Sequence, residues 1–160
     1  MTRISVVALA LVATLASSAQ AQVTGDLLAG IEELYVQVVV DDVLQEAGVS
    51  GAQLETRVET ELKTAGFNIV EGGFPTMIVR VRGLTIRAGG GDLGYSINLS
   101  LRIEDMFIPM RPAIGRNEIS AVSYINASLV TSSMTGASEM VDTAMTPILS
   151  TFFDHHRIAN

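Results

Sequence analysis

Tyr95-Ser96-Ile97-Asn98-Leu99-Ser100-Leu101-Arg102-Ile103 alternates apolar and polar side chains without a fault. A period of two puts all the apolar residues on one face of a strand and all the polar residues on the other. A strand with one buried face and one wet face belongs to an antiparallel sheet rather than to a buried parallel one. Upstream, Met77, Val79 and Val81 alternate with Ile78, Arg80 and Arg82, which predicts a partner strand reaching about Ile86. Gly83 is expected to mark a bulge there, because Leu84 and Ile86 fall on the face that Arg80 and Arg82 had occupied. Ala88 to Gly94, rich in glycine, turns the chain between the two strands.

Outward from this hairpin the pattern changes period. Leu34, Val36, Val38 and Val40 predict a first strand, followed by a loop ending in Gly48-Val49-Ser50. Ser50-x-x-Gln53 has the form of a capping box, and Leu54, Val58, Leu62 and Ala65 then recur at helical spacing until Gly66. Phe67 to Val70 predicts a short strand, and Ile119 to Thr131 a fifth. Met140, Val141, Ala144, Ile148, Leu149, Phe152 and Phe153 form a second helical stripe, which Pro147 is expected to kink or divide. The fold class that follows is α+β. A mainly antiparallel sheet of about five strands is covered by two helices on one face, in the order β-α-β-β-β-β-α.

The bulk composition is consistent with that core. Of 160 residues, 48% are hydrophobic and 17% charged, with a formal charge of −7. The chain is too apolar for disorder and long enough for one ordinary domain. The absence of cysteine excludes disulfides, thiolate metal sites and cysteine nucleophiles, and the acidic balance argues against nucleic acid as a partner.

At the amino end, Arg3 precedes the apolar run Ile4–Ala16, and Ala19-Gln20-Ala21 follows with small residues where a signal peptidase cuts. Residues 1–21 are therefore expected to be a cleaved secretory signal, and 22–160 a single periplasmic or secreted domain. The run is shorter than the ~20 apolar residues of a membrane span, so no transmembrane segment is expected.

In pattern the chain resembles small exported bacterial α+β domain proteins. The resemblance rests on LYVQVVVDD, the helix QLETRVETELKTAGF running into NIV, the hairpin MIVRVRG…YSINLSLRI, and a closing helix ending FFDHH. More loosely, it is similar to periplasmic accessory domains such as the N-terminal domain of the Tol-Pal β-propeller protein. The resemblance implies a fold and brings no catalytic residues with it.

Two surfaces stand out as candidates. Arg80, Arg82 and Arg102 should share the wet face, with Asn98, Tyr124 and Asn126 joining them. Three guanidiniums on an acidic protein suit a carboxylate, a phosphate or an acidic partner, although long charged side chains also serve simply to keep such a face solvated. The connection containing Met106, Phe107, Ile108, Met110 and Arg111 is apolar enough to be an adhesive loop, or else folds back over the core.

Other motifs carry less. The run 88–94 lacks the Lys-Ser/Thr of a phosphate loop and sits between strands. Asp154-His155-His156 would be a poor chelator, since helical neighbours diverge by about 100°. Glu32-Glu33, Asp41-Asp42 and Glu104-Asp105 are adjacent pairs whose members, on a strand, point to opposite faces. No cofactor, no metal and no enzymatic activity are expected. The leading reading is a non-catalytic interaction domain whose partner is a cell-envelope protein. The alternatives are a carrier of a small anionic or amphiphilic molecule, and an enzyme with no recognisable motif.

Overall fold

The computed structural model describes residues 27–107 and 119–160. Among the described residues five strands and three helices follow one another. They are β1 (Glu33–Val40), α1 (Asp42–Glu46), α2 (Gly51–Thr64), β2 (Asn68–Ile69), β3 (Thr76–Ala88), β4 (Gly91–Phe107), β5 (Ile119–Ser133) and α3 (Ala137–Ala159). The α+β class and the two-layer arrangement are as expected.

The strands lie in the order β2-β1-β3-β4-β5. β1 runs parallel to both of its neighbours, and the long pairs β3–β4 and β4–β5 are antiparallel. Leu34, Val36, Met77, Val79, Val81, Ile97, Leu99, Leu101 and Ile103 are all buried beneath the helices, as their alternation requires. α2 contributes Leu54, Val58 and Leu62 to that core, and α3 contributes Val141, Ala144, Met145, Ile148, Leu149 and Phe152. Burying one Leu or Phe side chain is worth about 1.5–3 kcal/mol, so this single cluster is the main source of stability in a chain without disulfides.

The helix termini follow the sequence signals in part. The Ser50 hydroxyl accepts a hydrogen bond from the Gln53 amide at 3.3 Å, which is half of a capping box. Gly66 takes φ +99°, the left-handed conformation that ends α2. Pro147 does not divide α3: the helix is continuous from Ala137 to Ala159, with the proline ring on its exposed side.

Two further expectations are corrected. The segment after β1 is not simply a loop, because Asp42–Glu46 forms a turn of helix that drives Leu44 into the core. Leu44 also explains Gly83. There is no bulge at Gly83, and the β3–β4 register runs unbroken through Arg82↔Asn98, Gly83↔Ile97 and Leu84↔Ser96, shifting only after Ile86. Gly83 leaves room for Leu44, whose Cγ would lie 2.5 Å from any Cβ placed there. The hairpin turn is also tighter than the run 88–94 suggested. β3 ends at Ala88 and β4 begins at Gly91, with Gly89 and Gly90 both at positive φ as a two-residue turn requires.

α2 and α3 are joined by Arg57. Its Nε donates to Glu61 at 2.9 Å, its Nη1 to the Asp142 carbonyl at 2.8 Å, and its Nη2 to the Thr146 hydroxyl at 2.9 Å. Partial burial alone would lower the Arg57 pKa, but hydrogen bonds and charge from Glu61 and Asp142 outweigh it and raise the value. Among the described residues, no helix is long and apolar enough to cross a membrane.

Candidate functional site

Among the described residues the helices cover one face of the sheet and leave the other open, apart from the buried Ile78 at one end. Directly paired residues on adjacent strands share a face, so the register lists the open face row by row. The rows are Ile78–Arg102–Ile125, Arg80–Ser100–Ala127, Arg82–Asn98–Leu129 and Leu84–Ser96–Thr131, each running from β3 across β4 to β5. Arg80, Arg82, Arg102 and Asn98 therefore lie together on the open face.

Tyr124 and Asn126 do not join them. Tyr124 pairs with Ile103 and Asn126 with Leu101, both core residues, so their side chains are on the helix side. The Tyr124 ring packs at 5.6 Å from that of Phe152 and 5.8 Å from that of His155. This anchoring sets the parity of β5 and turns Asn126 inward two residues later. Burial pushes the Tyr124 phenol pKa upward. Asn126 is near enough to offset part of that rise, yet the hydroxyl has no partner in hydrogen-bond geometry.

The arginines differ in freedom. Arg102 is bound to Glu104 at 2.9 Å, and its Nε is buried without a partner. Arg80 and Arg82 make no ion pair among the described residues. Between them and β5 the short side chains Ser96, Asn98 and Ser100 of the middle strand form a furrow floor. An open depression of about 310 Å³ lies there, lined by Asp41, Arg82, Gly83, Leu84, Ser96, Asn98 and Leu129. Its walls carry the Arg82 guanidinium and the Asp41 carboxylate beside the apolar Leu84 on β3, with Leu129 facing them from β5.

Sequence reasoning missed those apolar walls. Leu84 is 75% exposed, Leu129 71% and Ile125 65%, all on the open face. Leu84 had a signal, its place on the arginine face, which was read as a bulge. Ile125 and Leu129 had none, because β5 carries apolar residues at both parities.

Of the loop candidates, Met106 is half-buried near the end of β4 and Phe107 is the last residue of that strand. Ile108, Met110 and Arg111 lie outside the described residues, as does the expected signal at 1–21.

His155 and His156 are packing groups. The His156 ring lies 4.6 Å from that of Phe67, and its Nε2 is 2.8 Å from the Ile31 carbonyl. A second depression of about 330 Å³ adjoins His156, Phe67 and Asp154, but the imidazole on its wall is already engaged. Among the described residues no group of histidines and acids could hold a metal ion.

No family model and no curated protein matches this chain. Among solved structures, it is similar to a minor lipoprotein from Acinetobacter baumannii at 12% identity. The match covers 82% of this chain and 87% of that one, with a TM-score of 0.32. That likeness is too distant to carry an argument about function, so the functional reading stands on the open face.

Proposed function

We propose that this chain is a non-catalytic interaction domain of the cell envelope and that the open sheet face is its contact surface. The observation that carries the reading is the exposure of Leu84, Ile125 and Leu129 beside Arg80 and Arg82 on a face that no helix among the described residues covers. Exposed antiparallel faces are ordinarily polar, and large apolar side chains grouped on one mark a surface that another molecule covers. Guanidiniums that make no ion pair among the described residues, at the border of such a patch, favour a partner with acidic groups around an apolar centre. The signal-like amino end supports an exported location.

The furrow favours a second reading: a carrier of an anionic amphiphile, its head on Arg82 and its tail between Leu84 and Leu129. Two measurements separate the readings. In the first, baits carrying the native face or Arg80→Glu with Arg82→Glu are compared in capture from an envelope extract. An interaction domain recruits a defined protein with the native bait and loses it with the variant. In the second, thermal unfolding is followed with a medium-chain fatty acid. A carrier gains about 2.7 kcal/mol at a ligand concentration near 100 Kd. If both baits capture the same proteins and the fatty acid produces no shift, the open face is not a binding surface.

A further inference from the structure

β5 forms one edge of the sheet, and among the described residues no strand pairs with its outer side. Its 15 residues, Ile119–Ser133, include no Asp, Glu, Lys, Arg, Pro or Gly. Edge strands normally carry such residues because bare N–H and C=O groups otherwise recruit another strand. The other free edges among the described residues are shorter or charged: β1 pairs with β2 only at Glu33 and Leu34, which leaves the six residues Tyr35–Val40 on that side. β2 has only 2 residues, and the part of β3 beyond the end of β1 carries Arg82 and Arg87. Among the described residues β5 is the longest uncharged open edge.

We infer that the outer edge of β5 pairs antiparallel with the same edge of a second copy of this chain, joining two sheets into one across a two-fold axis. Charge is the first reason for choosing a second copy. Two-fold pairing sets the residue at the axis opposite its own equivalent and brings the strand's neighbouring residues close to those of the copy, so like charges along that stretch would repel one another. In this acidic protein, with net charge −7, β5 is the longest edge among the described residues on which that repulsion is absent. Register is the second reason. A two-fold axis perpendicular to the sheet keeps faces matched only if it passes through a residue pair. With the axis at Ala127, Ile125 of each copy lies opposite Leu129 of the other on the open face, and Asn126 lies opposite Ser128 on the helix side. Apolar then meets apolar and amide meets hydroxyl over the regular run Tyr124–Val130. Face-to-face packing of the two open faces would instead set Arg80, Arg82 and Arg102 against their own copies. The inference concerns the edge and does not rest on the binding role proposed for the face.

The test uses protein purified from cells expressing the full chain, with mass read by light scattering over a range of concentrations. The expected mass is about twice that of one chain. Ala127→Lys places two ammonium groups opposite each other and raises the dimer dissociation constant by roughly tenfold or more. Leu84→Lys makes the same charge change on the open face away from the edge and leaves the constant unchanged. Because the chain has no cysteine, cross-linking reports register without background. Ala127→Cys joins two chains under mild oxidation, whereas Thr131→Cys, displaced from the axis, does not. A monomer at every concentration, a dimer indifferent to Ala127→Lys, or equal cross-linking at 127 and 131 each overturns the inference. Should Ala127→Lys fail to fold by circular dichroism, the two cysteine variants decide alone.

Discussion

Replacing Gly83 with alanine tests whether the contact beneath α1 governs that end of the sheet. A Cβ at Gly83 would stand 2.5, 2.7 and 2.9 Å from Cγ, Cδ2 and Cδ1 of Leu44. Carbon atoms in ordinary contact sit about 3.5–4.0 Å apart, so the Leu44 side chain would have to withdraw by roughly 1 Å. It is fully buried against the core cluster, so it can withdraw only by displacing its neighbours there. Overpacking of this kind costs about 1–3 kcal/mol. Without Leu44 the sign reverses, because alanine is favoured over glycine within a regular element by roughly 0.5–1 kcal/mol. Leu44→Ala alone should cost about 2–5 kcal/mol through its cavity. The double variant should then be more stable than the sum of the two losses predicts, by at least about 1 kcal/mol. Urea unfolding of the four proteins, with m-values compared, measures that coupling directly. The reasoning fails if Gly83→Ala costs under about 0.5 kcal/mol with Leu44 present, or if the two effects simply add.

Two other outcomes follow from side chains on the helix side. Tyr124→Phe removes a buried hydroxyl that has no hydrogen-bond partner, so below pH 10 it should be neutral or stabilising by about 1 kcal/mol. Burial raises the folded-state pKa of Tyr124 above the ordinary phenol value of about 10, so the unfolded chain ionises first and stability declines as pH rises through that value. Thermal melts from pH 8 to pH 11 should therefore show a shallower alkaline decline in the phenylalanine variant, and parallel curves would refute this assignment. Arg57→Ala removes the fork joining α2 to Asp142 and Thr146 of α3, at a cost of about 1–2 kcal/mol. Arg57→Lys should restore less than half of that, since an ammonium cannot span both partners; full recovery in chemical denaturation would show that charge alone matters.

How much of this was legible depended on whether a residue's neighbour was close in sequence. The parity of β4 was plain because Ile97, Leu99 and Leu101 are apolar and their alternates are polar. The start of α2 could be read from Ser50 and Gln53, which meet within one turn. β5 was ambiguous because Tyr124 and Val130 fall on one parity and Ile125 and Leu129 on the other. What settles it is Phe152, whose ring contacts Tyr124 from a helix that begins after β5 has ended. The role of Gly83 was hidden for the same reason, since Leu44 lies on an element too short to show any period. Whether Arg80, Arg82 and Arg102 share a face depended on which strands pair, and that register, like the apolar company they keep, is long-range information.

The order of the strands has a consequence for how the chain matures. β1 lies between β2 and β3, and both come later in the sequence. β3, β4 and β5 are consecutive antiparallel neighbours, and each can pair as soon as the next has emerged. β1 must wait across the whole of α1 and α2 before either of its edges is met, a long loop to close compared with a hairpin. A chain delivered amino end first therefore exposes Leu34-Tyr35-Val36-Gln37-Val38-Val39-Val40 with two bare edges until residues 68–81 follow. The first strand to appear is the one whose place in the sheet is completed only by what comes after it.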